Sequence, residues 1–151
     1  MAISLSTEDK NIRVIAFVDP AIEGTTREEY EDYLKDLNEN KLKMVEGQKP
    51  TKFVLKVFLD YKDAQKVKSG QTRTEGRDIH FDLSYTMEEV RRSLIGIENP
   101  GPGLTFARDK SDGKADKNLI ARLESASVVG DLALARANAL KGQGSEDAKK
   151  N

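Results

Sequence analysis

The densest apolar run in the chain is Lys52-Phe53-Val54-Leu55-Lys56-Val57-Phe58-Leu59, set between Pro50 and Asp60. Its aromatic and β-branched content predicts a central strand, with a second strand beside it and helices covering it. Phe53, Leu55, Val57 and Leu59 point one way and Val54 and Phe58 the other, so both faces are expected to be partly covered. The earlier strand candidate is Ile12-Arg13-Val14-Ile15-Ala16-Phe17-Val18. Asp19-Pro20 ends it, because proline cannot donate to a sheet ladder. Thr26-Arg27-Glu28-Glu29 is a capping box, and its helix should reach about Asn38 with Tyr30, Tyr33, Leu34 and Leu37 on one stripe.

Residues 42–45 read as a short strand that turns through Gly47 into the central strand as a hairpin. Asp60 caps a short helix to Ser69, with Ala64 and Val67 inward and Gly70 as its stop. Residues 71–78 are polar without a period and read as an exposed loop. Ile79-His80-Phe81-Asp82-Leu83 alternates and reads as a half-buried strand. Thr86-Met87-Glu88-Glu89 is a second capping box; its helix carries Met87, Val90, Leu94, Ile95 and Ile97 inward and Arg91 and Arg92 outward. Asn99-Pro100-Gly101-Pro102-Gly103 is the strongest breaker in the chain. A charged loop then leads to a helix capped by Asp116 or Asn118, running to about Leu140 and broken at Gly130-Asp131.

These elements predict an α+β fold: a small, mostly antiparallel sheet packed by two or three helices, plus a hinged C-terminal helical segment. The expected organisation is a flexible leader (1–10), an α+β domain (11–99), a hinge and helical segment (100–140) and a disordered tail (141–151).

Composition narrows the chemistry. The 151 residues suit one domain, and with 37% apolar and 34% charged residues the core should be modest under a heavily charged surface. Lys+Arg 25 against Asp+Glu 26 gives no global basic field, which disfavours nucleic acid as a partner. The absence of cysteine removes thiolate nucleophiles, disulfides and zinc-thiolate sites. The first ten residues do not read as a secretory signal, and no run approaches the about 20 apolar residues that span a bilayer. A soluble chain made in the cytoplasm, with no membrane partner, is therefore expected.

Candidate chemistry is sparse. His80 is the sole histidine; Asp78 and Asp82 flank it, but a strand-surface histidine is the simpler reading. Residues 109–116 resemble a calcium loop only faintly: the glycine falls one place early, and Ile120 stands where a bidentate glutamate is needed. Arg73, Arg77, Arg91, Arg92, Lys66 and Lys68 could join Tyr61 and Tyr85 in a basic patch, although nearby carboxylates match them. No nucleophile motif or phosphate loop is present, so no catalytic, cofactor-binding or metal residue is assigned and no enzyme is expected.

The C-terminal helix carries apolar residues over a wide arc, which calls for two covering surfaces. Leu119, Leu123, Ala126, Gly130, Ala133, Leu134 and Ala137 are accordingly predicted to form an interface with another protein subunit, a second copy of the chain included.

The run Gly47-Gln48-Lys49-Pro50-Thr51-Lys52-Phe53-Val54-Leu55 resembles the glycine, proline, threonine, aromatic, aliphatic strand entry of small structural and tail-assembly proteins of tailed bacteriophages. The resemblance covers this run alone. It implies a virion component and carries over no catalytic residue. The functional expectation is a non-catalytic structural or assembly subunit of a multi-protein complex, incorporated in a virion. The alternatives are a cytoplasmic adaptor or regulatory module that binds a peptide at a sheet edge or groove, and a carboxylate-dependent hydrolase.

Overall fold

A computed structural model describes residues 10–71, 73–75, 78–80 and 83–149. The fold is α+β. Strands β1 (Asn11–Val14), β2 (Lys52–Lys56) and β5 (Leu94–Glu98) form a sheet in the order β1-β2-β5, antiparallel throughout, with β2 in the middle. The apolar run is therefore the central strand, as its pattern predicts. A separate hairpin pairs β3 (Arg73–Glu75) with β4 (Asp78–His80). The helices are α1 (Arg27–Asp36), α2 (Tyr61–Gln71), α3 (Leu83–Ser93), α4 (Lys117–Ser125) and α5 (Val129–Lys149).

One face of the sheet is buried. Ile12 and Val14, Phe53 and Leu55, and Leu94 and Ile97 meet Tyr30, Tyr33, Val90, Ile120, Leu123 and Leu132 from the helices. The opposite face carries charged residues around a buried Val54, and the Arg13–Glu98 ion pair (2.9 Å) spans from β1 to β5 beside it. The expectation that both faces are partly covered holds at Val54, which is buried on the second face, while Phe58 is left half exposed; the helical layer itself covers only the first face.

Segment 94–98 is a strand and not the end of a helix. Leu94 and Ile97 are three apart and would face opposite ways in a regular strand. A bulge beside Leu55 resolves this, pairing Phe53 with Ile97 and Leu55 with Leu94, so Ile95 is the extra residue. Residues 42–45 are not a strand either. A 3-10 turn (Glu39–Lys41) precedes them, and their backbone bonds go to the 21–25 loop, from Lys43 N–H to Thr25 Oγ1 (2.9 Å) and from Val45 N–H to Ala21 O (2.8 Å). Their pairing is with that loop, so the predicted hairpin does not form.

The capping box at Thr26 is made in full, with Glu29 N–H donating to Thr26 Oγ1 (3.1 Å) and Thr26 N–H to Glu29 Oε1 (3.0 Å). Helix α1 stops at Asp36, where Leu37 turns left-handed (φ 57°) and gives its N–H to Tyr33 O. The Thr86 box is not a helix start, since α3 begins three residues earlier at Leu83. Gly70 lies inside α2, and residues 73–75 and 78–80 pair as strands in place of the expected exposed loop. Phe81 and Asp82 lie outside the described residues. Val67 faces inward as expected, but its helix buries Asp63 and not Ala64.

Past the Pro-Gly turn, Ala115, Leu119, Ile120, Leu123, Val128, Val129, Leu132 and Ala135 join the same core as Val14 and Leu55. The break between the last two helices falls at Ser127 (φ 61°) and not at Gly130-Asp131, which open α5. The α5 backbone continues through Lys149, beyond the end expected near Leu140.

β1 is shorter than its apolar pattern. The chain leaves the sheet at Ile15, which is fully buried, so both its backbone groups need partners. Tyr30 Oη donates to Ile15 O (2.7 Å) and Tyr33 Oη accepts from Ile15 N–H (3.1 Å). Burial pushes both phenols up, Tyr33 to about 12, so each keeps its proton at ordinary pH. Next along, Phe17 N–H donates to the buried Asp131 carboxylate at 3.2 Å. Tyr30→Phe and Tyr33→Phe should each cost about 1–3 kcal/mol in urea unfolding, because each strands one buried backbone group of Ile15. Equal stability of both variants and wild type would remove this role.

Candidate functional site

The arginines predicted to face outward are the centre of a buried ionic network. Arg91 packs its guanidinium against Glu88 (2.9 Å) and Asp112 (2.6 Å), and also donates to Ala115 O. Arg92 meets Asp63 (2.6 Å) and Glu88 (2.7 Å), while Lys114 takes the other oxygen of Asp63. The network ties α2, α3 and the loop before α4 together. Nearby, Arg136 on α5 donates to Lys56 O (2.9 Å), to Val57 O (2.8 Å) and to Glu89 (2.6 Å), joining the end of β2 to α3 and α5.

Electrostatics follow the geometry. Burial pushes Asp63 up, but the bonds from Lys114 and Arg92 outweigh it and hold the carboxyl below its usual range. Glu88 behaves likewise, with burial opposed by Arg91 and Arg92. The Arg91 guanidinium holds Asp112 well below the ordinary carboxylate range, and the Lys114 N–H assists. Asp131 goes the other way: burial raises it, against the pull of the Phe17 N–H and Arg27.

These pairings settle two sequence candidates. In the calcium-like run, Asp109 accepts from Ser111 N–H (2.9 Å) and Oγ (2.8 Å), and Asp112 is taken by Arg91. Its oxygens serve a closed turn, with Gly113 at φ 72°. No group of three or more acidic or histidine side chains stands ready for a metal among the described residues. Of the basic patch, Arg91 and Arg92 are paired inside the fold and Lys66 is already engaged. The side chains of Arg73, Lys68 and His80, and all of Arg77, lie outside the described part.

The predicted interface divides. Leu119 and Leu123 are buried in the chain's own core, because α4 packs beneath α3 and α5, and Leu123 also backs a surface groove. Ala133 is partly buried against the same core, while Ala126, Gly130, Leu134 and Ala137 are exposed. Gly130, Leu134 and Ala137 follow one another along an outer stripe of α5.

Two surface grooves stand at opposite ends of β2. The first, about 330 Å³, is lined by Val57, Phe58, Leu59, Val67 and Leu140, with the Glu89–Arg136 pair at its floor already mutually satisfied. Phe58 is 48% exposed and Leu140 37%. Tyr61, which opens α2 just past the strand, is 78% exposed. The second, about 300 Å³, lies between the loops at residues 16–20, 49–51 and 99–104, with Phe53 and Val128 behind.

Three polar side chains pin the loops of the second groove. Asp19 accepts from Ala21 N–H (2.9 Å) and from Thr51 N–H (2.9 Å), one bond to each oxygen. Thr51 Oγ1 donates to Asn99 O (2.8 Å), and Asn99 Nδ2 donates to Lys49 O (2.9 Å). Asn99 sits at φ 52°, a region asparagine tolerates better than most residues. Asp19 and Asn99 each precede a proline, so the sequence marks them as breakers. That signal locates the turns but not what the side chains hold together.

Compared with known proteins, the chain matches no family model, no curated protein and no solved structure. No helix among the described residues is long and apolar enough to cross a membrane.

Asp63→Asn should cost about 3 kcal/mol in urea unfolding at neutral pH, since it leaves Arg92 and Lys114 facing an uncharged partner. The sign with pH is fixed by the lowered carboxyl. Its stabilisation is complete above the ordinary carboxylate range, near 4, and is lost as pH falls through the lower folded value. The gap between wild type and variant should therefore close on acidification. A gap that is constant from neutral to strongly acidic pH would contradict the pairing.

Proposed function

We propose that the chain is a non-catalytic structural or assembly subunit of a multi-protein complex, of the class found in bacteriophage virions and tail assembly. The observation that carries this reading is the distribution of side chains between inside and outside. The buried charges described above are spent on holding elements to one another. Large apolar side chains stand outside instead, and Phe58 and Leu140 share one groove at the end of the central strand. Contiguous exposed apolar surface of this kind suits a neighbouring subunit better than water. The strand-entry run at Gly47–Leu55 supplies the phage component of the reading, and leads straight into β2.

Size-exclusion chromatography with light scattering on the full chain tests it. A discrete oligomer is expected, or a fixed-ratio complex with another subunit of a purified particle. Phe58→Glu combined with Leu140→Glu should disperse either one while the chain stays folded at a modestly lower melting temperature, because both residues are only partly buried. His80→Ala should leave the assembly intact. A chain that stays monomeric across its accessible concentrations and occurs in no particle overturns the proposal.

A further inference from the structure

We infer that the groove between the 16–20, 49–51 and 99–104 loops is a docking site for an extended segment of a partner protein carrying an apolar side chain next to an aspartate or glutamate. The inference rests on the reading that the chain works by protein contact. It comes from a different surface from the groove at Phe58. The walls are apolar: Val18 (56% exposed), Pro20, Phe53, Pro102, Leu104 and Val128. Only two charged side chains line them, Asp19 and Arg122. Both oxygens of Asp19 are occupied by the backbone N–H groups of Ala21 and Thr51. The Arg122 side chain is exposed and has neither an ion pair nor a hydrogen bond among the described residues.

The groove holds one charge of each sign, but Asp19 is engaged by backbone N–H groups, which leaves the Arg122 guanidinium as the group free to take a carboxylate beside an apolar group. At about 300 Å³ the groove is at the small end of ligand pockets, sized for one or two side chains and not for a helix. Pinning of all three loops by Asp19, Thr51 and Asn99 means that little ordering is left for binding to impose. The Pro-Gly breaker also finds a role in this site, because Gly103, at φ 80°, turns Pro102 and Leu104 into the groove wall.

The test is an arrayed library of random dodecamer peptides probed with the full chain and with Arg122→Glu. Wild type should enrich peptides with an apolar residue adjacent to Asp or Glu. Arg122→Glu should lose them and gain peptides with Lys or Arg in that place. With the strongest peptide in fluorescence anisotropy, Arg122→Ala and replacement of the acidic residue by its amide should each weaken binding about fivefold, and together no further. The Arg122 side chain has no partner, so Arg122→Ala should melt with wild type, while Arg122→Glu, in the last turn of α4, should melt slightly lower. No enriched motif, or one that Arg122→Glu leaves unchanged, overturns the inference. Light scattering on the same samples separates the two readings. Assembly without peptide binding overturns this site alone, and peptide binding by a chain that never assembles overturns the assembly reading alone.

Discussion

The structure depends on what becomes of backbone polar groups just past the ends of very short strands. A four- or five-residue strand satisfies few of its neighbours' needs, and the buried groups beyond it cannot turn to water. At Ile15 the two tyrosines of α1 replace the ladder, one donating and one accepting. At the far end of β2, the guanidinium of Arg136 takes the carbonyls of Lys56 and Val57 together. Each device also positions a helix, because the side chain that completes the backbone comes from α1 or α5. Sheet and helical layer are thus fixed to one another by polar bonds at the same places where the apolar core is made.

This explains how so charged a chain keeps an ordered interior. Arg91, Arg92 and Arg136 each reach the inside with a carboxylate already in place. The described buried side-chain nitrogens and oxygens all have a partner. Buried ion pairs add little net stability compared with apolar packing, but breaking one is costly, so such a network selects one arrangement over others. Asp131 is the exception in sign. Burial raises its carboxyl, so its ionised form costs stability as pH rises, while its oxygen anchors Phe17.

The sequence is most legible where the determining contacts are local, although the Thr86 box and Gly70 misread even so. The Thr26 box, the Asp60 and Asp116 caps and the tyrosine stripe lie within one turn of what they control, and each is present. Segment 94–98 misleads for a physical reason. Leu94 and Ile97 have helical spacing, and a bulged strand can present the same spacing to a core. Arg91 and Arg92 look like a solvent face because the residues that neutralise them, Asp63 and Asp112, are far away in sequence. Leu119 and Leu123, read as interface from the sequence, are buried in the core for a related reason. A wide apolar arc does need two surfaces, but the chain supplies both from its own sheet and helices. The pinned groove is legible only as punctuation, since an Asx-Pro pair gives no hint of which loop it will clasp.

The two grooves share one strand. Thr51 and Phe53 line the first end of β2, and Val57 to Leu59 line the other. β2 is hydrogen-bonded along both edges, to β1 and to β5, which makes it the least deformable element of the sheet. Its five residues set a separation on the order of 17 Å between the grooves. In the proposed reading the two grooves are dissimilar surfaces held apart by this strand. Dissimilar surfaces make head-to-tail contacts, which close into rings or extend as filaments according to the rotation between them. In the proposed reading the central strand is therefore more than the core of the fold: it is the spacer that sets the distance between the two surfaces.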